Sequence, residues 1–347
     1  MHNLVFFIAL IFILWIGRSL FIPLLVATFL WYLLNAISAY YRKIMPCYKL
    51  NSCNIYARKF YNCISVLLSF ATVGAIIYLF ATQIKPMLLE LYNATPILQQ
   101  KLLVFSNYIS DLLGIHIDMN IIPNIPQIAG YIGSSVAGFA TSTGMVLIYL
   151  IFMFVEQSSF NKKIDAMPLP KLKSKKLHFI LNSIDENMKK YLFTKTFISA
   201  ATGICAYILL SIIGLEYASV WAFIIFILNY IPTFGSILAC VLPILYALIS
   251  GDTWHLSLWT AISLIATEIL FGNILDPKIT GKTLNISTLA ILINLVFWGM
   301  IWGIAGMFFS VPILVAIYIT TAQFESTRWI ATLLSSDGKI PDETQND

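Results

Sequence analysis

Glu268 stands in an otherwise apolar run, residues 262–275, with Thr267 and Asn273 close by in sequence. An ionisable side chain in a segment of that kind is costly to keep in a membrane and marks a functional position by default. A carboxylate in such surroundings binds a monovalent cation or takes up a proton, because desolvation penalises the bare charge. Competition between proton and cation for one carboxylate is the minimal chemistry of antiport. The alternative is that Glu268 lies near a helix end, pairs with a lysine and only orients the helix. Asp276 and Lys278 flank Pro277. The residue before a proline is steered away from the helical region, so Asp276 is expected to end the span and anchor it at the boundary, with a gate charge as the alternative. Asn229 and Asn273 carry amides that can bond freed carbonyls or a polar solute. Glu268, Asn229, Asn273 and Asp276 are the expected substrate or ion pathway.

These residues sit beside interruptions in apolar sequence. Pro232 and Gly235 follow Asn229, and Pro277 and Gly281 follow Asn273. A third interruption runs Trp298-Gly299-Met300-Ile301-Trp302-Gly303-Ile304-Ala305-Gly306, with Pro312 beyond it. Broken helices at membrane depth survive only where protein or a wet cavity covers the freed backbone groups. In polytopic chains such breaks are the best sequence pointer to a transport path. Gly299, Gly303 and Gly306 form a small-residue stripe that permits close helix contact. Trp298 and Trp302 fall one turn apart beside it, either as packing and an interface anchor or as an aromatic gate on a hinge. Trp254 and His255 read as a membrane-edge belt, with a proton-sensing His255 as the sharper alternative.

No catalytic constellation accompanies them. The chain has no Walker loop, no framed nucleophile and no metal-ligand spacing among its 4 histidines. Neither an enzyme, a cofactor nor a metal site is expected. Of 5 cysteines, Cys205 and Cys240 lie in apolar segments and read as small hydrophobes. Cys47, Cys53 and Cys63 lack paired spacing.

The composition explains where this chemistry must operate. Over 347 residues the chain is 59% hydrophobic and only 11% charged, whereas soluble domains run about 45–50% apolar and about 25% charged. The apolar runs are too long for transmembrane β-strands. The expected fold is an all-α polytopic membrane protein of about eight transmembrane helices, with broken or re-entrant helices in the C-terminal half. Apolar runs fall at 4–16, 20–40, 64–82, 136–155, 197–215, 218–231, 234–249, 256–275, 286–296 and 300–321. The first lacks a basic flank and a cleavage site, so it reads as a retained helix.

Basic loops set the orientation. Arg42, Lys43, Lys49, Arg58 and Lys59 follow the second run, and nine lysines from Lys162 to Lys195 follow the fourth. Both loops are expected in the cytoplasm, with both termini on that side. The +5 net charge belongs to these loops and calls for no nucleic acid. Five regions result: N-terminal helices with a basic loop (1–82), an extracytoplasmic amphipathic segment (83–135), a fourth span with a basic linker (136–195), a transport core (196–322) and a polar tail (323–347). Residues 83–135 suggest two amphipathic helices broken at Pro96, and 178–194 suggest an interfacial elbow before the next span.

The spacing Asn229-x-x-Pro232-x-x-Gly235, then Gly272-Asn273-x-x-x-Pro277-x-x-x-Gly281, then Phe297-Trp298-Gly299-x-x-Trp302-Gly303-x-x-Gly306 with Val311-Pro312, resembles the AI-2E family of bacterial transporters. The last motif is the most specific; the N-terminal half agrees only in layout. That family includes exporters of the quorum signal autoinducer-2 and sodium (or lithium)/proton antiporters. The resemblance implies a bacterial inner-membrane protein, a homo-oligomer in the form of a pentamer, and a small polar solute or monovalent cation with protons as cargo. A non-transporting oligomeric scaffold is the alternative. Family members often carry an acid just before the Gly-Asn pair, where this chain has Phe271; Glu268 is the nearest acid, one turn earlier.

Overall fold

A computed structural model describes residues 2–45, 55–93, 143–168, 170–250, 254–276, 278–279 and 285–340, with 100 and 110 as isolated positions. Its order is α1 (His2–Ile16), α2 (Arg18–Ile44), α3 (Ile55–Asn93), α4 (Thr143–Glu156), α5 (Phe160–Asp165), α6 (Lys171–Ile213), α7 (Ala218–Leu228), α8 (Phe234–Ser250), α9 (Trp254–Glu268), α10 (Thr288–Ala322) and α11 (Arg328–Leu334). Five stretches are long and apolar enough to span a bilayer, and Thr143–Glu156, Ala218–Leu228 and Phe234–Leu248 are shorter apolar helices. The protein is an all-α polytopic membrane protein.

The side chains are distributed as a lipid solvent demands. Along α6, Phe193, Phe197, Ile204, Ile208 and Ile212 form an exposed apolar stripe, while Lys195, Ser199 and Thr202 are buried. Apolar groups face outward, and the polar ones are kept where protein partners can satisfy them.

α10 is two helices, not one. A straight helix of its 35 residues would reach about 52 Å, well beyond a hydrocarbon core of about 30 Å. Asn294 Nδ2 donates to the Ser310 carbonyl at 2.6 Å, although 16 helical residues would separate them by about 24 Å. The backbone reverses at Gly303, whose φ of 63° and ψ of −139° leave the region open to side-chain-bearing residues. Residues 288–302 and 304–322 therefore form an antiparallel hairpin. Gly306 faces the Trp298 carbonyl so closely that a Cβ would collide with it. The small-residue stripe thus serves contact between the limbs of one hairpin. Both open ends of this hairpin meet at α11, where Ser287 N bonds to the Leu334 carbonyl and Ile286 pairs with Ser335.

α7 and α8 form a second hairpin with the opposite entry. Trp221 and Tyr246 touch at 5.4 Å between ring centroids, and Gly235 abuts the Leu228 carbonyl. Its open end packs with Leu210 and Leu215 at the C-terminal end of α6. The first hairpin's open end packs instead on Tyr191 and Leu192, at the middle of α6. At 11 residues, α7 spans about 16 Å and stops short of a full crossing.

One local expectation is corrected. The elbow at 178–194 is no separate element: α6 runs unbroken for 43 residues, because no proline between Lys171 and Gly214 removes a backbone donor. The helix that carries the third apolar stretch runs on past it, since α3 continues through Pro86 to Asn93 and Met87 is buried against α6 and α7. The break at Pro96 and the helix expected after it lie outside the described residues.

Gly306→Ala is expected to destabilise the protein by about 1–3 kcal/mol, as overpacking does when backbone cannot yield. Gly74, inside α3 with open space around it, gives the opposite sign: Gly74→Ala is expected to stabilise by about 0.5–1 kcal/mol. Thermal unfolding in one detergent checks both.

Candidate functional site

A cavity of about 680 Å³ opens between the α7–α8 turn, α6, α9 and the open end of the α10 hairpin. It gathers Asn229, Glu268, Asn273 and Asp276, the four residues expected to line a pathway. Tertiary structure is needed for this, because 47 positions separate Asn229 from Asp276. Pro232 lines it too, while Gly235 makes the tight turn onto Leu228. Pro277 and Gly281 lie outside the described residues.

Glu268 is set by a change in helix type. α9 widens after it into a π-helix, Ile269–Leu275, a form often found at functional sites. Glu268 Oε1 is buried and has no hydrogen-bond partner among the described residues. It packs on Gly272 so tightly that a Cβ there would strike the carboxylate. Among the described residues no lysine pairs with Glu268. A carboxylate oxygen desolvated without a donor is costly, and a proton or a cation would complete it.

The lysine belongs to Asp276 instead. Lys195 Nζ donates to Asp276 Oδ2 at 2.5 Å, and the side chains are 7% and 19% exposed. Asp276 keeps helical angles, φ −57° and ψ −52°, so it does not end the helix as the following proline suggested. Its ion pair ties α9 to α6 across the cavity wall. Sequence reading placed Lys195 among loop cations; its position two residues from the exposed Phe193, on the opposite face, was the available signal.

The α7–α8 turn supplies the remaining wall. Asn229 is buried and donates from Nδ2 to Thr202 Oγ1 at 3.2 Å. Tyr230 shares a 2.7 Å bond with Thr196 Oγ1 and stacks on Phe308 of the α10 hairpin. Thr233 is held at φ 62°, which is strained for a β-branched residue. Such strain persists only where its surroundings over-determine it.

The tryptophan-glycine cluster is not part of this cavity. Trp298 and Trp302 are buried against α1 and α2, and Trp302 Nε1 donates to the Leu14 carbonyl at 2.9 Å. Gly299 faces Met307 across the hairpin. Pro312 follows Val311, a lining residue, in the returning limb. His255 stacks on Trp254 at the start of α9, outside the cavity lining. Among the described residues no cluster of metal-ligating side chains occurs.

Opposed helical hairpins, a cavity between them that holds buried charge and an apolar exterior fit a multi-pass membrane transporter. Residues 4–326 match the AI-2E family transporter pattern, and the chain belongs to that family. It is 34% identical over 199 residues to the AI-2 transport protein TqsA of Escherichia coli, covering 57% of each chain. A provisionally named transport protein of Borreliella burgdorferi is 35% identical over 187 residues, 54% of this chain and 51% of that one. The provisionally named transport protein YrrI of Bacillus subtilis matches more of the chain, 25% identical over 326 residues, 88% and 87% of the two lengths. The matched stretch thus spans little more than half the length of the first two relatives.

The buried ion pair generates a stability test. Lys195→Met breaks the buried ion pair from one side and is expected to cost about 3–5 kcal/mol, whereas Lys195→Met with Asp276→Leu costs less than either single change. Unfolding midpoints of the four proteins close the cycle.

Proposed function

We propose that the cavity carries the cargo and that Glu268 couples its movement to protons. The carrying observation is the buried Glu268 oxygen, without a donor among the described residues, in a mostly aliphatic cavity whose polar lining is Asn229, Thr233, Ser236, Asn273, Thr288 and the Lys195–Asp276 pair. A bound sodium or lithium ion would take carboxylate and amide oxygens from Glu268 and Asn273. A proton would occupy the same carboxylate in the other half of the cycle. Asn229, Asn273 and the Lys195–Asp276 pair also offer donors and acceptors suited to a small hydroxylated solute such as autoinducer-2, which the name of the Escherichia coli relative specifies. The α7–α8 turn, α9 and the α10 hairpin would move relative to one another to change access, with Lys195–Asp276 as the contact that breaks.

The same reading places the protein in the bacterial inner membrane with both termini in the cytoplasm, supported by the excess of lysine and arginine in two loops. It assembles as a homo-oligomer, a pentamer by resemblance to the family. A monomeric mass in mild detergent would remove that part.

The test is flux into proteoliposomes that hold a pH-sensitive dye, with sodium, lithium or potassium added outside after a proton gradient is imposed. Collapse of the gradient by one cation, lost in Glu268→Gln and reduced in Gly272→Ala, is the expected result. Unchanged collapse in Glu268→Gln would take the coupling role from Glu268. Silence toward every cation would move the reading to solute export, tested with labelled autoinducer-2. Silence there too would leave an oligomeric scaffold.

A further inference from the structure

The open end of the α10 hairpin is crossed by a short polar segment, residues 335–340. Asn285, just before the outgoing limb, directs its whole side-chain amide to it. Asn285 Nδ2 donates to Asp337 Oδ1 at 2.7 Å and to the Lys339 carbonyl at 3.1 Å, and Asn285 Oδ1 accepts from Ser336 Oγ. The backbone pairs as well: Ser336 N bonds to the Asn285 carbonyl at 3.1 Å, and Ser287 N to the Leu334 carbonyl at 2.8 Å. From the returning limb, the Tyr318 hydroxyl donates to the Lys339 carbonyl at 3.0 Å. The segment therefore ties the two limbs together. Asn285 stands at φ 46° to make these bonds, a left-handed conformation that asparagine tolerates.

This attachment is built to come apart. Residues 336–339 are exposed, and Ile340 is the apolar side chain of the segment that packs on the hairpin. Hydrogen bonds in contact with water thus carry most of the hold, and segments of that kind open at the low end of a protein's stability range. The segment also holds part of the cavity wall. Ile286, which pairs with Ser335, lines the first cavity, as do Thr288 and Ile291 in the limb that it starts. Lys176 Nζ lies 4.8 Å over the Phe324 ring, so this end of the hairpin sits beside the lysine-rich start of α6, where water reaches it.

We propose that residues 335–340 are a releasable strap that controls entry to the cavity from this end. Fastened, the strap keeps Ile286 and Thr288 in the cavity wall. Released, it lets the start of the outgoing limb swing out of the wall, and the cavity opens to solution there.

Two native thiols report on this. Cys240 lines the cavity and Cys205 does not. With Cys47, Cys53 and Cys63 changed to serine, the full chain in mild detergent is treated with a water-soluble maleimide, and labelling rates at Cys240 and Cys205 are read by peptide mass spectrometry. Asn285→Gly removes the three side-chain bonds and keeps the positive φ. It is expected to raise the Cys240 rate about tenfold, the factor that one or two hydrogen bonds give, with Cys205 unchanged. Ile286→Cys with Ser335→Cys puts thiols on directly opposed residues, whose Cβ atoms in such a pair are about 4.5–5.5 Å apart and can be bridged. Oxidation of that variant is expected to slow Cys240 labelling, and reduction to restore it. If Asn285→Gly does not fold, the bridged and reduced forms carry the test alone. A Cys240 rate indifferent to Asn285→Gly or to the bridge, or an equal rise at Cys205, would overturn the proposal. The measurement uses no cargo, so its outcome is separate from that of the transport reading.

Discussion

Every peptide group inside a bilayer needs a partner from the protein, because hydrocarbon offers none. This requirement governs the C-terminal half of the molecule. The chain stops being helical near Pro232 and at Gly303, and each break is enclosed on one side only. Asn229, Tyr230 and Ile231 are buried, with Thr196, Thr202 and Phe308 as partners, while Thr233 and Phe234 are exposed; Trp298, Ile301 and Trp302 are buried against α1 and α2, while Gly303 and Ile304 are exposed. The N-terminal helices thus have a structural part in the C-terminal half: they pack on one side of the Gly303 reversal.

Close backbone approach makes the hairpins possible. Gly235 and Gly306 occupy equivalent places, each a few residues past a reversal and each against a carbonyl of the preceding limb. With limbs this near, side chains that would fill a wider gap are absent, and polar contacts such as Asn294 to Ser310 close the remainder. The open end of one hairpin packs on the C-terminal end of α6 and that of the other on its middle, and the cavity lies where the turn of one reaches the open end of the other.

Charge inside that cavity is arranged unequally. Asp276 has a buried lysine, while Glu268 has an oxygen with no donor among the described residues. Two carboxylates eight residues apart therefore differ in kind: one is tied to α6 by an ion pair, and the other keeps a desolvated oxygen without a donor among the described residues. The π-helix between them supplies the difference, since a wider turn carries Gly272 under the Glu268 carboxylate.

The sequence by itself determined the class, most span positions and the residues able to do chemistry, because hydrophobic run length, proline and glycine placement and the cost of buried charge are local properties. It marked Glu268, Asn229, Asn273 and Asp276 as unusual. It did not show that they share one cavity, that the lysine serves Asp276, or that the glycines face the other limb of their own hairpin. Those outcomes depend on contacts between positions far apart in the chain. The helical angles of Asp276 were likewise decided by packing, which overrode the preference of a residue before proline.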